Sequence, residues 1–170
     1  MILRKVNLPD GISGNLFLSY MPGRNEPFSK AVEVIKKHQV STVICLNPFE
    51  EIVSKSPEYA KAIELNILDF EWEHFPLFDF GIPDDEMEFI KLVGSITERL
   101  RGGESLLIHC AGGIGRTATL AVSVLLTLGL ELDSAQRVVR EAGAMAQSNA
   151  QKEFMTRMRE EARRNGLNTR

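Results

Sequence analysis

Ser105-Leu106-Leu107-Ile108-His109-Cys110-Ala111-Gly112-Gly113-Ile114-Gly115-Arg116-Thr117-Ala118 is the stretch that decides how this chain is read. Ser105–His109 is a short, largely apolar run that follows Gly102-Gly103, the pattern of a buried strand. Five residues, three of them glycine, then separate Cys110 from Arg116. From about Gly115 the chain reads as a helix to about Leu128. Glycines permit unusual backbone angles and close approach, so successive N–H groups in such a turn can converge into an anion-binding nest. The helix start adds the positive end of its dipole. A ring of this kind suits a dianion with three equatorial oxygens, and its field favours the thiolate form of a cysteine placed at the strand end. Arg116 supplies a planar fork that grips two oxygens at once, which a lysine cannot do. Cys-x5-Arg alone carries little information. The full string, with histidine before the cysteine and threonine after the arginine at a strand-to-helix junction, is specific. The competing reading is a glycine-rich turn beside an incidental buried cysteine. No Gly-Lys-Ser/Thr ending follows, which disfavours a nucleotide-binding loop.

Working outward, Ile2–Val6 and Leu16–Tyr20 are apolar runs separated by Pro9-Asp10-Gly11 and Gly14, and they read as a hairpin. Helical spacing over Phe28–His38 is followed by a β-branched, uncharged run at Thr42–Leu46, read as a buried strand. Pro57–Leu65 reads as a short helix and Glu71–Leu77 as extended. Pro83-Asp84-Asp85-Glu86 is a helix-start signal, after which Met87, Ile90, Val93, Ile96 and Leu100 fall on one face. A further helix is expected from Leu132 to near Gly143. Ser148 or Asn149 would cap a last one running to about Asn165. Strands alternating with helices predict an α/β domain with a largely parallel central sheet. The length of 170 residues fits a single domain over 1–170.

Hydrophobic residues make up 44% and charged residues 25% of the chain, enough for a core and unlike a disordered segment. The net charge of −3 argues against nucleic acid or an anionic membrane as main partner. The longest apolar stretch, Leu120–Leu130, is interrupted by Ser123, Thr127 and Gly129 and is too short to span a bilayer. Two cysteines, Cys45 and Cys110, do not make a disulfide scaffold. The expectation is a cytoplasmic protein, read as a monomer. His38 and His74 are isolated, so no metal site and no cofactor is read.

His109-Cys110-x5-Arg116-Thr117 resembles the signature of the cysteine-dependent protein tyrosine phosphatase superfamily. The resemblance implies a fold: a twisted, mainly parallel central sheet flanked by helices on both faces. It implies Cys110 as nucleophile, forming a phosphocysteine, with the loop Ala111, Gly112, Gly113, Ile114 and Gly115 and the side chain of Arg116 holding the phosphate. It implies that His109 helps to set the thiolate environment and that the Thr117 hydroxyl stabilises the departing thiolate. Ala118 stands where the family usually has glycine. Leu77-Phe78-Asp79-Phe80-Gly81-Ile82-Pro83 resembles the family's acid loop and selects Asp79 as general acid over Asp84 and Asp85. Leu77-Phe78 in place of Trp-Pro puts the chain nearer the compact dual-specificity phosphatases, particularly the type acting on cyclin-dependent kinases. Gln147-Ser148-Asn149-Ala150-Gln151 matches the loop on which relatives position the hydrolytic water. Gln147 is the stronger candidate and Gln151 a second, with two surface glutamines at a helix start as the plain alternative. Cys45 reads as a small core residue, or as a redox partner for Cys110.

The implied activity is dephosphorylation of a phosphorylated protein or peptide at phosphotyrosine, with phosphoserine and phosphothreonine open. Two rivals stand beside it. One is a phosphatase for a phosphoinositide, an inositol phosphate or an RNA 5′-triphosphate; the absence of lysine between Cys110 and Arg116 disfavours the phosphoinositide case. The other is a pseudophosphatase that binds phosphopeptides without turnover, which the joint presence of Cys110, Arg116 and Asp79 disfavours. Trp72 reads as a core or sheet-face residue. The arginines at 157, 159, 163 and 164, set among glutamates, read as a solvated helix face.

Overall fold

A computed structural model describes residues 1–167. Its strands are β1 (Arg4–Val6), β2 (Asn15–Tyr20), β3 (Thr42–Cys45), β4 (Glu71–His74) and β5 (Ser105–Cys110). Its helices are α1 (Phe28–Lys37), α2 (Phe49–Lys55), α3 (Pro57–Glu64), α4 (Glu86–Arg101), α5 (Gly115–Thr127), α6 (Leu132–Glu141) and α7 (Asn149–Leu167). The strands form one sheet in the order β1-β2-β5-β3-β4. β1 pairs antiparallel with β2, as the hairpin reading expected, and every other pairing is parallel.

Alternation along β5 sorts the core into two layers. Leu106, Ile108 and Cys110 join Leu16, Leu18 and Ile44 on one face, under residues of α4, α5, α6 and α7. Leu107 points the other way, with Phe17, Val43 and Cys45, toward residues of α1, α2 and α3. The result is a helix–sheet–helix sandwich with β5 between β2 and β3. Cys110 stands opposite Tyr20, and His109 opposite both Ser19 and Cys45. The carboxyl end of the central parallel strand is therefore where the glycine-rich turn begins. In open parallel sheets that crevice is the usual place for a ligand.

The helix after the turn explains its own sequence. Every residue of α5 from Gly115 to Leu126 is buried, so the helix is apolar or small all round rather than amphipathic. Its hydroxyls turn inward on the helix itself: Thr119, Ser123 and Thr127 donate to the carbonyls of Gly115, Thr119 and Ser123.

Three expectations change. The start signal at Pro83 lies outside the helix: α4 begins at Glu86, and Asp85 caps it by accepting from the Glu88 N–H at 3.0 Å. Val93, Ile96 and Leu100 are buried as expected and Ile90 packs against the core, but Met87 is 65% exposed and Phe89 and Leu92 complete the inward face of α4. The third change is α2, only seven residues long and too short to show a period, where the sequence suggested no element.

Gly14 fastens β2 to the end of α4. Its N–H donates to the Leu100 carbonyl at 2.9 Å. A Cβ there would lie 2.5 Å from the Glu104 carbonyl oxygen and 2.6 Å from that of Leu100. Backbone cannot yield cheaply, so Gly14→Ala should lower stability by about 2–3 kcal/mol. Gly94, inside α4 with open space around it, should behave oppositely. Gly94→Ala is expected to raise stability by about 0.5–1 kcal/mol. Urea midpoints check both; equal destabilisation by the two changes would contradict this packing.

Candidate active site

The turn from Cys110 to Gly115 is built as a concave ring. β5 ends at Cys110 and α5 starts at Gly115, with Ile114 as the preceding residue at φ −120° and ψ −81°. Gly113 sits at φ +67°, and a side chain there would collide with the Ser19 carbonyl and the Arg4 guanidinium. That position needs glycine on both counts. Among the described residues, no protein group accepts a hydrogen bond from the amides of Ala111, Gly112, Gly113 or Ile114. Four consecutive free N–H groups at a helix N-terminus form the kind of nest that binds an anion.

Cys110 lies at the base of this ring, 3% exposed. The Thr117 hydroxyl, one turn into α5, donates to its Sγ at 3.1 Å. His109 is fully buried beneath, its Nε2 3.1 Å from the Tyr59 hydroxyl oxygen. Burial pushes the His109 imidazole down to about 3. It is therefore neutral at physiological pH, and what it contributes beside the sulfur is shape and hydrogen bonding rather than charge.

Arg116 is 1% exposed, an unusual depth for a guanidinium. Its Nη1 donates to Glu51 Oε2 at 2.7 Å and to the Leu77 carbonyl at 3.0 Å. Its Nη2 reaches Glu51 Oε1 at 3.3 Å and Asp79 Oδ1 at 3.3 Å. Its Nε, also buried, has no hydrogen-bond partner in the protein. Burial is the largest single influence and would lower the Arg116 pKa, but the Glu51 hydrogen bond and the attraction of Cys110, Glu51 and Asp79 together outweigh it and the net shift is upward. Burial likewise works to raise Glu51. Hydrogen bonds from Arg116, Lys55 and Asn47 reverse that and hold its carboxyl at about 2. Arg116 is thus fixed from behind by Glu51, while Nε and the edge toward Asp79 remain for a ligand.

Glu51 is the site residue that sequence reasoning missed. It lies on the short helix α2, and its partner is 65 residues away in sequence. Nothing local in the sequence around Glu51 pointed to Arg116.

Asp79 occupies a turn after Leu77, its side chain 57% exposed. Its Oδ1 also accepts from the Phe80 N–H at 3.2 Å. Phe80 adopts φ +58°, a left-handed conformation that costs a bulky residue energy and must be held in place. The hold comes from the glutamine loop. Ser148 Oγ donates to the Phe80 carbonyl at 2.8 Å, and Gln151 Nε2 to the Gly81 carbonyl at 3.3 Å. Ser148 also caps α7 by accepting from the Gln151 N–H at 3.2 Å. Of the other acids considered, Asp85 is occupied as the cap of α4, and Asp84 is exposed on the approach to it.

Gln147 Oε1 accepts from the Gly115 N–H at 3.0 Å, so its amide lies against the ring. Gln151 is fully buried, with Oε1 on the Gln147 N–H at 2.8 Å and Nε2 on Gly81. Both ends of Gln151 are used inside the protein, which suits a brace for the two loops better than a contact with water. Cys45 is a buried core residue on β3, opposite His109 of the neighbouring strand. Its side chain belongs to the α1–α3 face of the sheet, opposite the layer that holds Cys110, and both cysteines are free. Burial pushes the Cys45 thiol up to about 12.

Elsewhere, Trp72 is part-buried and stacks on His74 with ring centroids 4.8 Å apart. Of the C-terminal arginines, Arg157 pairs with Glu86 and Arg163 with Glu131, both at 2.7 Å. Among the described residues no cluster of histidine, cysteine or carboxylate side chains could hold a metal ion, and no helix is long and apolar enough to cross a membrane.

Comparison with known proteins agrees with this layout. Residues 19–130 match the family model described as "Polymorphic toxin system, DSP-PTPase phosphatase". Tyrosine-protein phosphatase 1 of Dictyostelium discoideum is 29% identical over 132 residues, which cover 72% of this chain and 23% of that protein. The chain thus spans under a quarter of that relative's length. Among solved structures, kinase associated phosphatase, with serine in place of its catalytic-site cysteine, superposes with a TM-score of 0.82 at 21% identity, covering 95% of this chain and 96% of the other. Tk-PTP in its active form gives 0.66 at 26% identity, covering 94% and 99%. The family match spans more than half the chain, including β5, the ring and all of α5. This chain belongs to the DSP-PTPase family, the dual-specificity and tyrosine phosphatases.

Proposed function

We propose that residues 1–170 form one catalytic domain that hydrolyses phosphate monoesters on proteins or peptides, phosphotyrosine above all, through a phosphocysteine. The observation that carries this reading is the meeting of Cys110 Sγ, the Thr117 hydroxyl at 3.1 Å, four unpaired loop amides and a buried Arg116 with a free Nε. Such a constellation has little use except to hold a tetrahedral dianion over a sulfur nucleophile.

The first step follows from that placement. A phosphate monoester seats its three non-bridging oxygens against the ring amides and Arg116. The Cys110 thiolate attacks phosphorus in line, an S–P bond forms, and the bond from phosphorus to the ester oxygen breaks. The leaving oxygen needs a proton, and Asp79 supplies it. To do so Asp79 must leave Arg116, and the incoming dianion is the natural competitor for that Nη2. In the second step water attacks the phosphocysteine, the S–P bond breaks and inorganic phosphate departs. The ionised Asp79 takes the water's proton, Gln147 orients the water, and the Thr117 hydroxyl receives the returning thiolate. Glu51 touches no reacting atom; it is a positioning residue that keeps the Arg116 fork aimed.

Cys110→Ser should abolish release of p-nitrophenol from p-nitrophenyl phosphate while phosphopeptide binding survives. Asp79→Asn should lower kcat by roughly 10²-fold or more for alkyl phosphates and much less for aryl phosphates with good leaving groups. If Asp84→Asn gave that pattern instead, the acid would be misassigned. A panel of phosphotyrosine and phosphothreonine peptides beside inositol phosphates tests the substrate class; fastest turnover of an inositol phosphate would replace the protein reading.

Glu51→Gln should reduce kcat/KM by about tenfold to a hundredfold, the effect of weakening a buried charge-assisted hydrogen bond. Most of the loss should appear in affinity for orthophosphate. A variant as active as wild type would show that Arg116 needs no anchor.

A further inference from the structure

Two arginines outside the ring remain unused by this mechanism. Arg4, from β1, donates through Nη2 to the Gly113 carbonyl at 2.6 Å and through Nη1 to the Gly143 carbonyl at 2.6 Å. Arg24, from the exposed turn after β2, donates through Nη1 to the Ala111 carbonyl at 2.6 Å, which also accepts from the Met21 N–H at 3.3 Å. Neither side chain forms an ion pair with an acid among the described residues. Two cations without carboxylate partners, each on a carbonyl of the same five-residue loop, call for a physical account.

Peptide geometry provides one. A peptide unit is planar and trans, so its C=O and the next residue's N–H point in opposite directions. Holding the Ala111 carbonyl outward directs the Gly112 N–H inward. Holding the Gly113 carbonyl outward does the same for the Ile114 N–H. These are two of the four amides that have no acceptor in the protein. Without a ligand, convergent N–H dipoles repel one another, and a glycine-rich loop can relieve that by flipping a peptide. A guanidinium on the outward oxygen opposes the flip and adds positive potential on the ring side.

We propose that Arg4 and Arg24 are positioning residues that keep the phosphate ring preformed, each by pinning one peptide plane: Arg24 for the Gly112 amide, Arg4 for the Ile114 amide. This rests on the ring being a phosphate site. Arg4 has a second effect through Gly143, at φ +77° and packed against the guanidinium stem. Gly143 opens the segment between α6 and α7 that leads to Gln147. One side chain from the edge strand therefore ties the ring to the loop on which the hydrolytic water would be placed.

The test uses the full chain and inorganic orthophosphate. In wild type, amide resonances of both Gly112 and Ile114 should shift on phosphate titration. Arg24→Met should suppress the Gly112 response and leave that of Ile114, and Arg4→Met should do the reverse. Each change should weaken orthophosphate binding by about tenfold and lower kcat/KM for p-nitrophenyl phosphate to match, with the leaving-group dependence unaltered. Arg4→Lys keeps the charge but cannot hold both carbonyls, so it should fall between wild type and Arg4→Met. Arg24 is exposed on a turn, so its variant should fold even if Arg4→Met does not. Folded variants that bind orthophosphate as wild type does, with both amides still responding, would overturn the proposal and leave the phosphatase reading intact. Failure of wild type itself to bind orthophosphate or to turn over substrate would strike that reading instead.

Discussion

The structure turns on a guanidinium buried to 1% exposure. An isolated charge at that depth is costly, and breaking such a pair costs several kcal/mol because one charge is left without a partner. Glu51 makes the burial tolerable, and Lys55 and Asn47 in turn hold Glu51. What is left of Arg116 faces the ring. The pair therefore has a use beyond stability: it presents a fixed bidentate donor to a ligand while keeping bulk water away from its back. A cation of the same charge on a flexible stem would not be oriented in this way.

The rest of the fold serves that arrangement. Placing β5 between parallel neighbours fixes Cys110 at the sheet's carboxyl edge, and burying α5 all round fixes the amides that follow. The loop carrying Asp79 and the glutamine loop are joined to each other through Ser148 on Phe80 and Gln151 on Gly81. Asp79 is held in the same network by Arg116. Asp79, Arg116 and the loop carrying Gln147 are thus linked through one set of hydrogen bonds and an ion pair, and the strained backbone at Phe80 is stabilised by them.

Much of this was legible in the chain itself, for identifiable reasons. The ring is one contiguous segment whose chemistry is local, so its strand, glycines and helix start could be read directly. The N-terminal hairpin and the buried strand β3 were visible from runs bounded by turn residues. Other parts depended on contacts that sequence does not display. Glu51 sits on a seven-residue helix and acts on an arginine far along the chain. On α4, the exposure of Met87 and the burial of Phe89 and Leu92 depend on what the helix packs against, which the sequence does not display. The surroundings of Cys45 depended on a period-two alternation across paired strands, which puts it in a different packing layer from Cys110 although the two strands are neighbours. Arg4 and Arg24 carry no local sign of their role, since each acts on a carbonyl about a hundred residues away.

The central claim is that Cys110, inside a collar of inward-facing amides, forms a covalent bond to phosphorus during turnover. Acid quenching of the protein during hydrolysis of a radiolabelled phosphotyrosine peptide, followed by peptide mapping, tests it most directly. The account predicts label on the peptide containing Cys110, approaching one equivalent per active site when Gln147 is replaced by alanine and hydrolysis of the intermediate is slowed. Label that never appears there while product forms, or that persists unchanged in Cys110→Ser, would contradict it.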